Sequence, residues 1–335
     1  MPKHIGLDIG TSNTRMYMRS QGIIMRSPTV VAIDKRDEAV VAVGKDAKLM
    51  IGKTPSHIEA FRPIRDGVVT DLEVTAMMLH EHFKLTGALS LFNRPVVLVS
   101  APHNCTEVER RALEDAIFEA GAKAVGVISS PIASAVGAGL NINSPRGCMV
   151  VDIGGGMTQV SVISSGGIVR SKAIKLGGDK IDNAIISGLK SSKDLYIGEF
   201  SAEMLKVRIG SALPNAKRGS VEVSGRNERL KCAQAIKVGC DDVYLAMSKA
   251  VEAICRTITS LLETTPPELA GDISSYGIML VGGGANMHGI ADLINARTHL
   301  RVTVAKSPMD CECMGLGRLI EKPSIIPGGI IYKNR

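Results

Sequence analysis

The chain has 335 residues, of which 45% are hydrophobic and 22% charged, and its formal net charge is +7. This length accommodates two domains of ordinary size, each with its own core. Aromatic residues make up only 3% of the chain and tryptophan is absent, which argues against a base-stacking surface for nucleic acid. The basic residues are scattered, so we interpret the positive charge as a solvated surface and expect no nucleic-acid partner.

The cysteines and the apolar runs indicate the cellular location of the protein. Seven cysteines without paired spacing indicate a reducing cytoplasm. Cys311 and Cys313 are one residue apart and have no second Cys or His pair nearby, so we expect no zinc site. No apolar run approaches the roughly 20 residues that span a bilayer, and a strand pattern starts too early for a signal peptide. We predict a cytoplasmic protein, without excluding one that lies on a membrane surface.

The first predicted element is a β-hairpin over residues 5–18, with its turn in the segment Asp8-Ile-Gly-Thr-Ser-Asn-Thr14. Glycine and small hydroxyl residues let backbone N–H groups point at an anion, and an aspartate at a strand end can hold a hydrated metal ion. The segment alone also fits an ordinary β-turn. It is a candidate phosphate loop that needs a second observation.

Strands and helices alternate through the rest of the first half. Residues 22–33 predict a strand pair around Pro28, and the mixed charges of residues 34–63 predict a small insertion. Gly52-Lys-Thr54 does not indicate a P-loop, because Ala47 stands where that motif has its first glycine. The other predicted elements are a helix at 71–86, a strand at 95–100, a helix from the capping box Thr106-Glu-Val-Glu109 to Gly121, a strand at 126–129 and a small-residue helix at 131–140.

The second half begins with a copy of the first hairpin. The segment Asp152-Ile-Gly-Gly-Gly-Met-Thr158 repeats the Asp, Ile, Gly and Thr of the first turn, and apolar runs flank both copies. Coincidence is a poor explanation for two such matches. Two hairpins that face each other would clamp a polyphosphate and its magnesium ion. The repeat therefore predicts a duplicated α/β fold with the ligand between two lobes.

A third glycine-rich turn follows later in the chain. Strand 278–281 leads into Gly282-Gly-Gly284, and a helix pattern begins near Met287. A glycine turn before a helix N-terminus suits a ribose or an α-phosphate, although three glycines also permit close packing alone. The elements predicted before it are helices at 179–189 and 201–209, an irregular strand region at 217–237, and a long helix at 241–263 that Pro266-Pro267 stops.

The three loops, in this order, resemble those of the actin, Hsp70 and sugar-kinase superfamily. The closer resemblance is to MreB and its paralogue Mbl, the bacterial actins, and it extends through nearly the whole chain. A sugar kinase or a chaperone would share only the loops. The matching segments are Val43-Gly-x-x-Ala-Lys-x-Met-x-Gly-Lys-Thr-Pro55, Arg62-Pro-x-x-Asp-Gly-Val68, Val108-Glu-Arg-Arg111, the run from Met149 to Gly156, Thr264-Thr-Pro-Pro-Glu-Leu269 and Pro308-Met-Asp-Cys311.

The resemblance implies a duplicated actin/Hsp70/ribonuclease-H-like α/β fold, with two lobes of two subdomains each around an ATP cleft. We expect the first lobe at 1–147 with an insertion at about 34–66, the second at 148–308 with an insertion at about 183–240, and a return to the first lobe at 309–335. It also implies head-to-tail filaments on the inner face of the cell membrane that guide cell-wall synthesis. The implied partners are copies of the chain itself, an anionic membrane surface and cell-wall elongation proteins.

The resemblance also assigns residues to ATP and Mg²⁺. Asp8 and Asp152 would hold Mg²⁺ through water. Glu203 and Lys206 would lie beside the ribose and adenine, although the sequence alone indicates only an i,i+3 ion pair. The residues expected at the phosphates are Gly10, Thr11, Ser12, Asn13, Gly154, Gly155 and Gly156, and those expected on the far side of the nucleoside are Gly283, Gly284 and Ala285.

One departure from the family pattern concerns hydrolysis. Actins have a Glu or Gln just before the helix that follows the short strand, and MreB usually has Glu-Glu-Pro, where this chain has Ser129-Ser130-Pro131. The second hairpin has Thr158-Gln159 where the family usually has Thr-Glu. A serine hydroxyl is not a general base by itself at neutral pH, so we predict slow or absent hydrolysis. The alternative is that Thr158 and Gln159 still order a water molecule, so that serine at position 130 slows hydrolysis only slightly.

A loop at residues 87–94 resembles the membrane-inserting loop of MreB. Its apolar residues Leu89, Leu91 and Phe92 lie between Lys84 and Arg94, and this pattern suits shallow insertion beneath anionic headgroups. The alternative is that Phe92 caps the domain core.

Two other functions fit the same fold. A small-molecule kinase needs a catalytic carboxylate that faces the γ-phosphate, and Ser130 occupies the expected position. A chaperone-like ATPase or assembly adaptor needs a substrate-binding domain, and we find none after Tyr332. A hydrolysis-poor subunit could also assemble with a more active MreB paralogue. We therefore expect an ATP-dependent polymer.

Overall fold

The computed structural model describes residues 2–90 and 93–334. The strands in chain order are β1 (His4–Ile9), β2 (Asn13–Met18), β3 (Gly22–Pro28), β4 (Val31–Asp34), β5 (Ala39–Val43), β6 (Ile58–Phe61), β7 (Ile64–Arg65), β8 (Val68–Val69), β9 (Val96–Ala101), β10 (Ala124–Ser129), β11 (Cys148–Ile153), β12 (Thr158–Ser164), β13 (Gly167–Ile174), β14 (Leu195–Tyr196), β15 (Ser220–Asn227), β16 (Ala233–Gly239), β17 (Ile278–Val281), β18 (Val302–Val304) and β19 (Tyr332–Asn334). The helices are α1 (Lys45–Met50), α2 (Leu72–Leu85), α3 (Glu107–Glu119), α4 (Ser130–Ala138), α5 (Gly178–Lys193), α6 (Glu199–Ile209), α7 (Cys240–Glu263), α8 (Pro267–Tyr276), α9 (Ile290–Thr298) and α10 (Cys311–Glu321).

Two large mixed sheets repeat one arrangement. The first has the strand order β19-β10-β9-β1-β2-β3, and the second has the order β13-β12-β11-β17-β18. In the first, β1 is antiparallel to β2 and parallel to β9. In the second, β11 is antiparallel to β12 and parallel to β17. This repetition confirms the predicted duplicated α/β fold.

The prediction that the strands before and after Pro28 pair with each other is wrong. β3 is hydrogen-bonded to β2 in the large sheet, whereas β4 lies in a separate three-stranded sheet between β5 and β6. Pro28 ends β3 because it has no N–H to donate to a neighbouring strand. The chain then turns, and Thr29 N donates to Ser12 O at 3.1 Å.

The region predicted as irregular strand at 217–237 is a regular antiparallel hairpin. β15 and β16 pair from Ser220 with Gly239 to Arg226 with Ala233. Alternate residues of β15 are exposed and polar, while Val223 packs into the core. This alternation is typical of a sheet with one solvated face.

The capping box of α3 is confirmed: Thr106 Oγ1 accepts from Glu109 N at 3.2 Å, and Glu109 Oε2 accepts from Thr106 N at 2.7 Å. The helix predicted near Met287 begins later, at Ile290, because the segment Gly283–Asn286 forms a 3-10 turn first. α8 and α10 were not predicted. In the described parts of the chain, no helix has the length and apolar character that crossing a membrane requires.

α4 and α10 cross each other between the two large sheets. A Cβ at Gly137 would lie 1.7 Å from Cys311 O, and one at Gly315 would lie 1.8 Å from Ala133 O. The two backbones therefore touch where neither helix has a side chain. One apolar cluster joins these helices to both sheets, with Leu98 from β9 and Val150 from β11. This packing holds the first turns of both helices at the space between the sheets.

Candidate nucleotide site

The two hairpin turns have the same backbone geometry and meet each other. Gly10 N donates to Asn13 O at 3.0 Å, and Gly154 N donates to Met157 O at 2.9 Å. A Cβ at Gly155 would lie 2.0 Å from Ser12 Oγ, a distance that no side chain tolerates. The glycines of the second turn therefore let the first turn approach, as expected for a two-sided clamp.

Two cavities are lined by residues of these turns. The larger one has a volume of about 320 Å³ and the smaller one about 100 Å³. The predicted residues that line the larger cavity are Asp8, Gly10, Thr11, Ser12, Asn13, Asp152, Gly154, Gly155, Glu203, Lys206, Gly283 and Gly284. Those that line the smaller cavity are Asp8, Gly10, Thr11, Ser130, Asp152, Gly154, Gly155, Gly156 and Gln159. Thus, apart from Thr158 and Ala285, the structure brings the predicted cleft residues together.

The position of Thr158 does not support its predicted catalytic role. Its side chain is fully buried, and its hydroxyl donates to Leu176 O at 2.7 Å. The equivalent Thr14 in the first hairpin is also fully buried, with its hydroxyl 2.9 Å from that of Thr29. Successive side chains of a strand point to opposite faces, so a threonine beside a cleft-facing residue points away from the cleft.

Ala285 also lies outside the cavity walls, because its side chain is buried in the core of the second half. The three glycines before it have distinct roles. Gly282 has a φ of +81°, a Cβ at Gly284 would lie 2.2 Å from Ile153 Cγ2, and Gly283 faces open space. This turn therefore both packs closely against β11, at Gly284, and lines the larger cavity, at Gly283. Met287 and His288 extend the same wall of the cavity and were missed from the sequence.

The two aspartates face different partners at equivalent positions. β1 and β2 place Asp8 opposite Arg15, whereas β11 and β12 place Asp152 opposite Gln159. Arg15 Nη1 lies 3.2 Å from Asp8 Oδ2, and Arg15 Nε lies 3.3 Å from Asp310 Oδ1. Arg15 lines the larger cavity and was missed, although its place in the hairpin register was a usable signal.

Burial raises the pKa of both aspartates. Asp8 is 4% exposed, and burial raises the pKa of its carboxyl although the Arg15 guanidinium opposes the shift. Burial raises the pKa of Asp152 to about 6, against a hydrogen bond from Ser134 Oγ to Asp152 Oδ2 at 2.9 Å. Two buried carboxyl groups whose pKa values stay raised despite the Arg15 guanidinium favour a further cation.

Glu312, in the first turn of α10, adds a third carboxyl group at the base of the cleft. It lines both cavities, and burial together with Asp8 and Asp152 raises the pKa of its carboxyl. Glu312, which lies between Cys311 and Cys313, was not predicted as a site residue from the sequence. Both cysteines are buried, and the burial of Cys311 raises the pKa of its thiol to about 11. Across the described residues, no group of three or more Cys, His, Asp and Glu side chains is arranged as a metal centre.

Glu203 and Lys206 do not pair with each other. Lys206 Nζ lies 2.7 Å from Asp182 Oδ2 on α5, and Glu203 Oε2 lies 2.6 Å from Lys48 Nζ on α1. The i,i+3 ion pair that the sequence alone indicates is therefore wrong, because each side chain has a closer partner on another helix. Both still line the larger cavity, together with the glycine turn.

Ser130 contacts Gln159 directly. Ser130 Oγ donates to Gln159 Oε1 at 2.9 Å, and both side chains line the smaller cavity. Gln159 is only 4% exposed, and its Nε2 is buried without a hydrogen-bond partner among the residues that the structure describes. A buried amide N–H₂ without an acceptor is costly, so this group is positioned for a ligand or a water molecule.

The predicted membrane residues Leu91 and Phe92 lie outside the described residues. Leu89 is partly buried and packs over Gly121, where a Cβ would lie 3.1 Å from Leu89 Cδ2. Arg94 donates to Gly121 O and Ala122 O, each at 3.0 Å. Leu89 is therefore part of the core packing, and its predicted place in an exposed apolar tip is wrong.

The model of the MreB/Mbl protein family matches residues 2–326. The chain belongs to this family. It is 38% identical over 325 residues to the cell shape-determining protein Mbl of Bacillus subtilis, covering 97% of this chain and 98% of that one. It is 41% identical over 323 residues to the cell shape-determining protein MreB of Escherichia coli K12, covering 95% and 93%. The resemblance inferred from the sequence motifs is confirmed.

Solved structures show the same actin-like fold. MreB5 of Spiroplasma citri bound to AMPPNP has a TM-score of 0.91 and 33% identity, covering 96% of each chain. Its ADP-bound form has the same TM-score and identity, covering 96% of this chain and 97% of that one. The MamK double helical filament has a TM-score of 0.78 at 21% identity, covering 96% and 99%, and shows the fold alone. The chain is thus an MreB/Mbl family member, in a family with cell shape-determining relatives.

Proposed function

We propose that this MreB/Mbl family member binds ATP with Mg²⁺ and polymerises into filaments that lie on the membrane and guide cell-wall synthesis. One observation carries the proposal. Asp8 and Asp152 occupy equivalent strand ends on the wall of one cavity, and Glu203, Lys206 and Gly283 line the same cavity. MreB5 of Spiroplasma citri, with the same fold, has been solved with AMPPNP and with ADP.

The residues present fit Mg²⁺. Mg²⁺ binds proteins through one or two carboxylates together with substrate phosphates and water. Asp8 and Asp152 are two such carboxylates, and burial without full compensation raises the pKa of each. A bound divalent cation would offset this cost and neutralise phosphate charge. The chain's own residues would bind the nucleotide through the backbone N–H groups of the two turns.

We expect slow hydrolysis. The smaller cavity, beside the phosphate turns, contains Ser130 at the start of α4, where the family usually has a carboxylate. A serine hydroxyl provides no charge to polarise water, and Ser130 already donates to Gln159. Such a subunit would assemble alone or together with a more active paralogue. The remaining proposed partners are an anionic membrane surface, reached through Leu91 and Phe92, and cell-wall elongation proteins.

Sedimentation and negative-stain imaging with ATP, with ADP and without nucleotide test the polymer. The expected result is filaments of the wild-type chain in at least one nucleotide state. The Asp152→Ala variant should not respond to nucleotide, because it lacks one of the two aspartates. A chain that stays monomeric in every state contradicts the proposal.

Co-sedimentation with anionic liposomes tests the membrane contact separately. The double variant Leu91→Ser, Phe92→Ser should lose binding while its thermal unfolding stays that of the wild type. The matched control is Leu85→Ser, an exposed leucine on the preceding helix. Unchanged binding by the double variant contradicts insertion through this loop.

A further inference from the structure

Glu312 lies at the junction of the two cavities. The residues common to both cavity walls are otherwise turn or strand-end residues of the two hairpins, such as Asp8 and Asp152. Glu312 comes instead from α10, which the crossing with α4 holds in place at Gly137 and Gly315. The side chain thus approaches the phosphate turns from an element outside the two hairpins.

Gln159 provides a donor in the smaller of these cavities. Its amide oxygen accepts from Ser130 Oγ at 2.9 Å, and its Nε2 has no hydrogen-bond partner within the described part of the chain. Glu312 lines the same cavity and provides acceptor oxygens. A cavity of about 100 Å³ between the phosphate turns and these two groups has room for a few water molecules.

We propose that Glu312 and Gln159 hold the water molecule that attacks the γ-phosphate, with Ser130 as the residue that orients Gln159. This inference rests on the proposed ATP binding and names the residues behind the slow turnover. Glu312 would supply, from α10, a carboxyl oxygen that accepts a hydrogen bond from this water, in place of the carboxyl group that is absent at the start of α4. Ser130 is a positioning residue, because it acts through the Gln159 amide.

The hydrolysis step balances with ATP and water alone. The water oxygen forms a bond to the γ-phosphorus while the bond from that phosphorus to the β,γ-bridging oxygen breaks. The electron pair of the broken bond leaves with ADP, and a water proton passes to an oxygen of the product phosphate. Glu312 accepts a hydrogen bond from the water and Gln159 Nε2 donates one to it, so both act by orientation.

Single-turnover hydrolysis by the full chain, together with two binding measurements, tests the inference. The variants are Glu312→Ala, Gln159→Ala and the double variant Ser130→Glu, Glu312→Ala. Glu321→Ala is the matched control on the same helix, outside the cavities. Affinity is measured for AMPPNP and for ADP with aluminium fluoride, which mimics the transition state, and thermal unfolding verifies folding.

We expect Glu312→Ala and Gln159→Ala to slow hydrolysis by about 10- to 100-fold. AMPPNP affinity should change less than about threefold, while affinity for ADP with aluminium fluoride should fall with the rate. A carboxylate at position 130 should restore turnover only in part in the double variant, because it replaces the acceptor of Glu312 but lacks the hydroxyl that orients Gln159. Glu321→Ala should match the wild type.

Different results overturn different statements. If the wild type binds AMPPNP but Glu312→Ala hydrolyses ATP at the wild-type rate, the inference fails and the proposed function stands. The inference also fails, and nucleotide binding stands, if the wild type binds AMPPNP without any turnover. If Glu312→Ala loses affinity for AMPPNP and for ADP with aluminium fluoride equally, Glu312 has a general structural role. That result would also overturn the inference. If the wild type binds no nucleotide, both the inference and the proposed function fail.

Discussion

Lys48 Nζ lies 2.6 Å from Glu203 Oε2 and joins α1, beside the small sheet of the first half, to α6 in the second half. A second ion pair, Arg62 to Glu199 at 2.9 Å, joins the same two regions. Glu203 also lines the larger cavity. The two halves of the chain are therefore bridged by charges beside the proposed nucleotide.

Lys48→Ala should speed nucleotide release. A partly exposed ion pair contributes about 0.2–1 kcal/mol, which corresponds to a roughly 1.5- to 5-fold faster dissociation. Stopped-flow displacement of a fluorescent ATP analogue measures the rate. Lys35→Ala is the matched control, because Lys35 pairs with Glu59 at 2.7 Å within the small insertion. Equal rates for the two variants would contradict a bridging role for Lys48.

Gly155→Ala should weaken ATP binding by about tenfold or more, a loss of about 1.4 kcal/mol. The added Cβ would lie 2.0 Å from Ser12 Oγ and 2.8 Å from Ser12 Cβ, so the two turns must separate. Equilibrium titration with a fluorescent ATP analogue measures the loss. Gly167→Ala is the control, because among the described residues its Cβ would meet only Ser164 O, at 4.0 Å. Wild-type affinity in Gly155→Ala would show that contact between the turns is not needed.

The parts of the fold that were predicted correctly depend on short-range patterns. The two hairpins and the capping box at Thr106 are specified within a few residues, so the sequence suffices. The pairing of β4 could not be predicted, because it depends on where the chain goes after Pro28. α10 was missed because Gly315 and Gly317 lower helix propensity and are required only by contacts with other elements.

The site residues that could be predicted likewise depend on short-range patterns, and those that could not depend on long-range contacts. Asp8 and Asp152 were found because each belongs to a repeated local motif. Arg15 and Glu312 were missed because their importance comes from strand register and from helix crossing, which bring distant segments to one cavity. The predicted ion pair between Glu203 and Lys206 is wrong for the same reason. The prediction assumed a neighbour on the same helix, but residues on other helices lie closer.

Gly315→Ala should destabilise the fold by about 3 kcal/mol or more, because overpacking against a backbone cannot be relieved by a rotamer change. Its Cβ would lie 1.8 Å from Ala133 O at the crossing of α4 and α10. Urea unfolding followed by circular dichroism measures the change. Gly271→Ala in α8 is the control: no other element in the described parts of the chain lies within 4 Å of its Cβ, so it should stabilise the chain by about 0.5–1 kcal/mol. Equal stability of the two variants would show that the helices do not cross this closely.

Asp182 gives a pH-dependent prediction. Burial raises the pKa of Asp182 from 3.8 to about 6, against the opposing effect of Lys206 Nζ at 2.7 Å. Between pH 3.8 and about pH 6, Asp182 keeps its proton in the folded chain and has lost it in the unfolded chain. The contribution of this group to the free energy of unfolding is therefore fully present below the unfolded pKa and is lost as pH rises through the folded pKa.

Asn at position 182 does not titrate, so Asp182→Asn should lack this loss. Between about pH 4.5 and about pH 7.5, the free energy of unfolding should fall by about 2 kcal/mol more in the wild type than in Asp182→Asn. Urea unfolding at a series of pH values measures both slopes under the same buffer and salt. Because the variant also leaves Lys206 without its carboxylate partner, the decisive quantity is the difference in slope and not the stability at one pH. Parallel slopes would show that the Asp182 carboxyl titrates alike in the folded and unfolded chains.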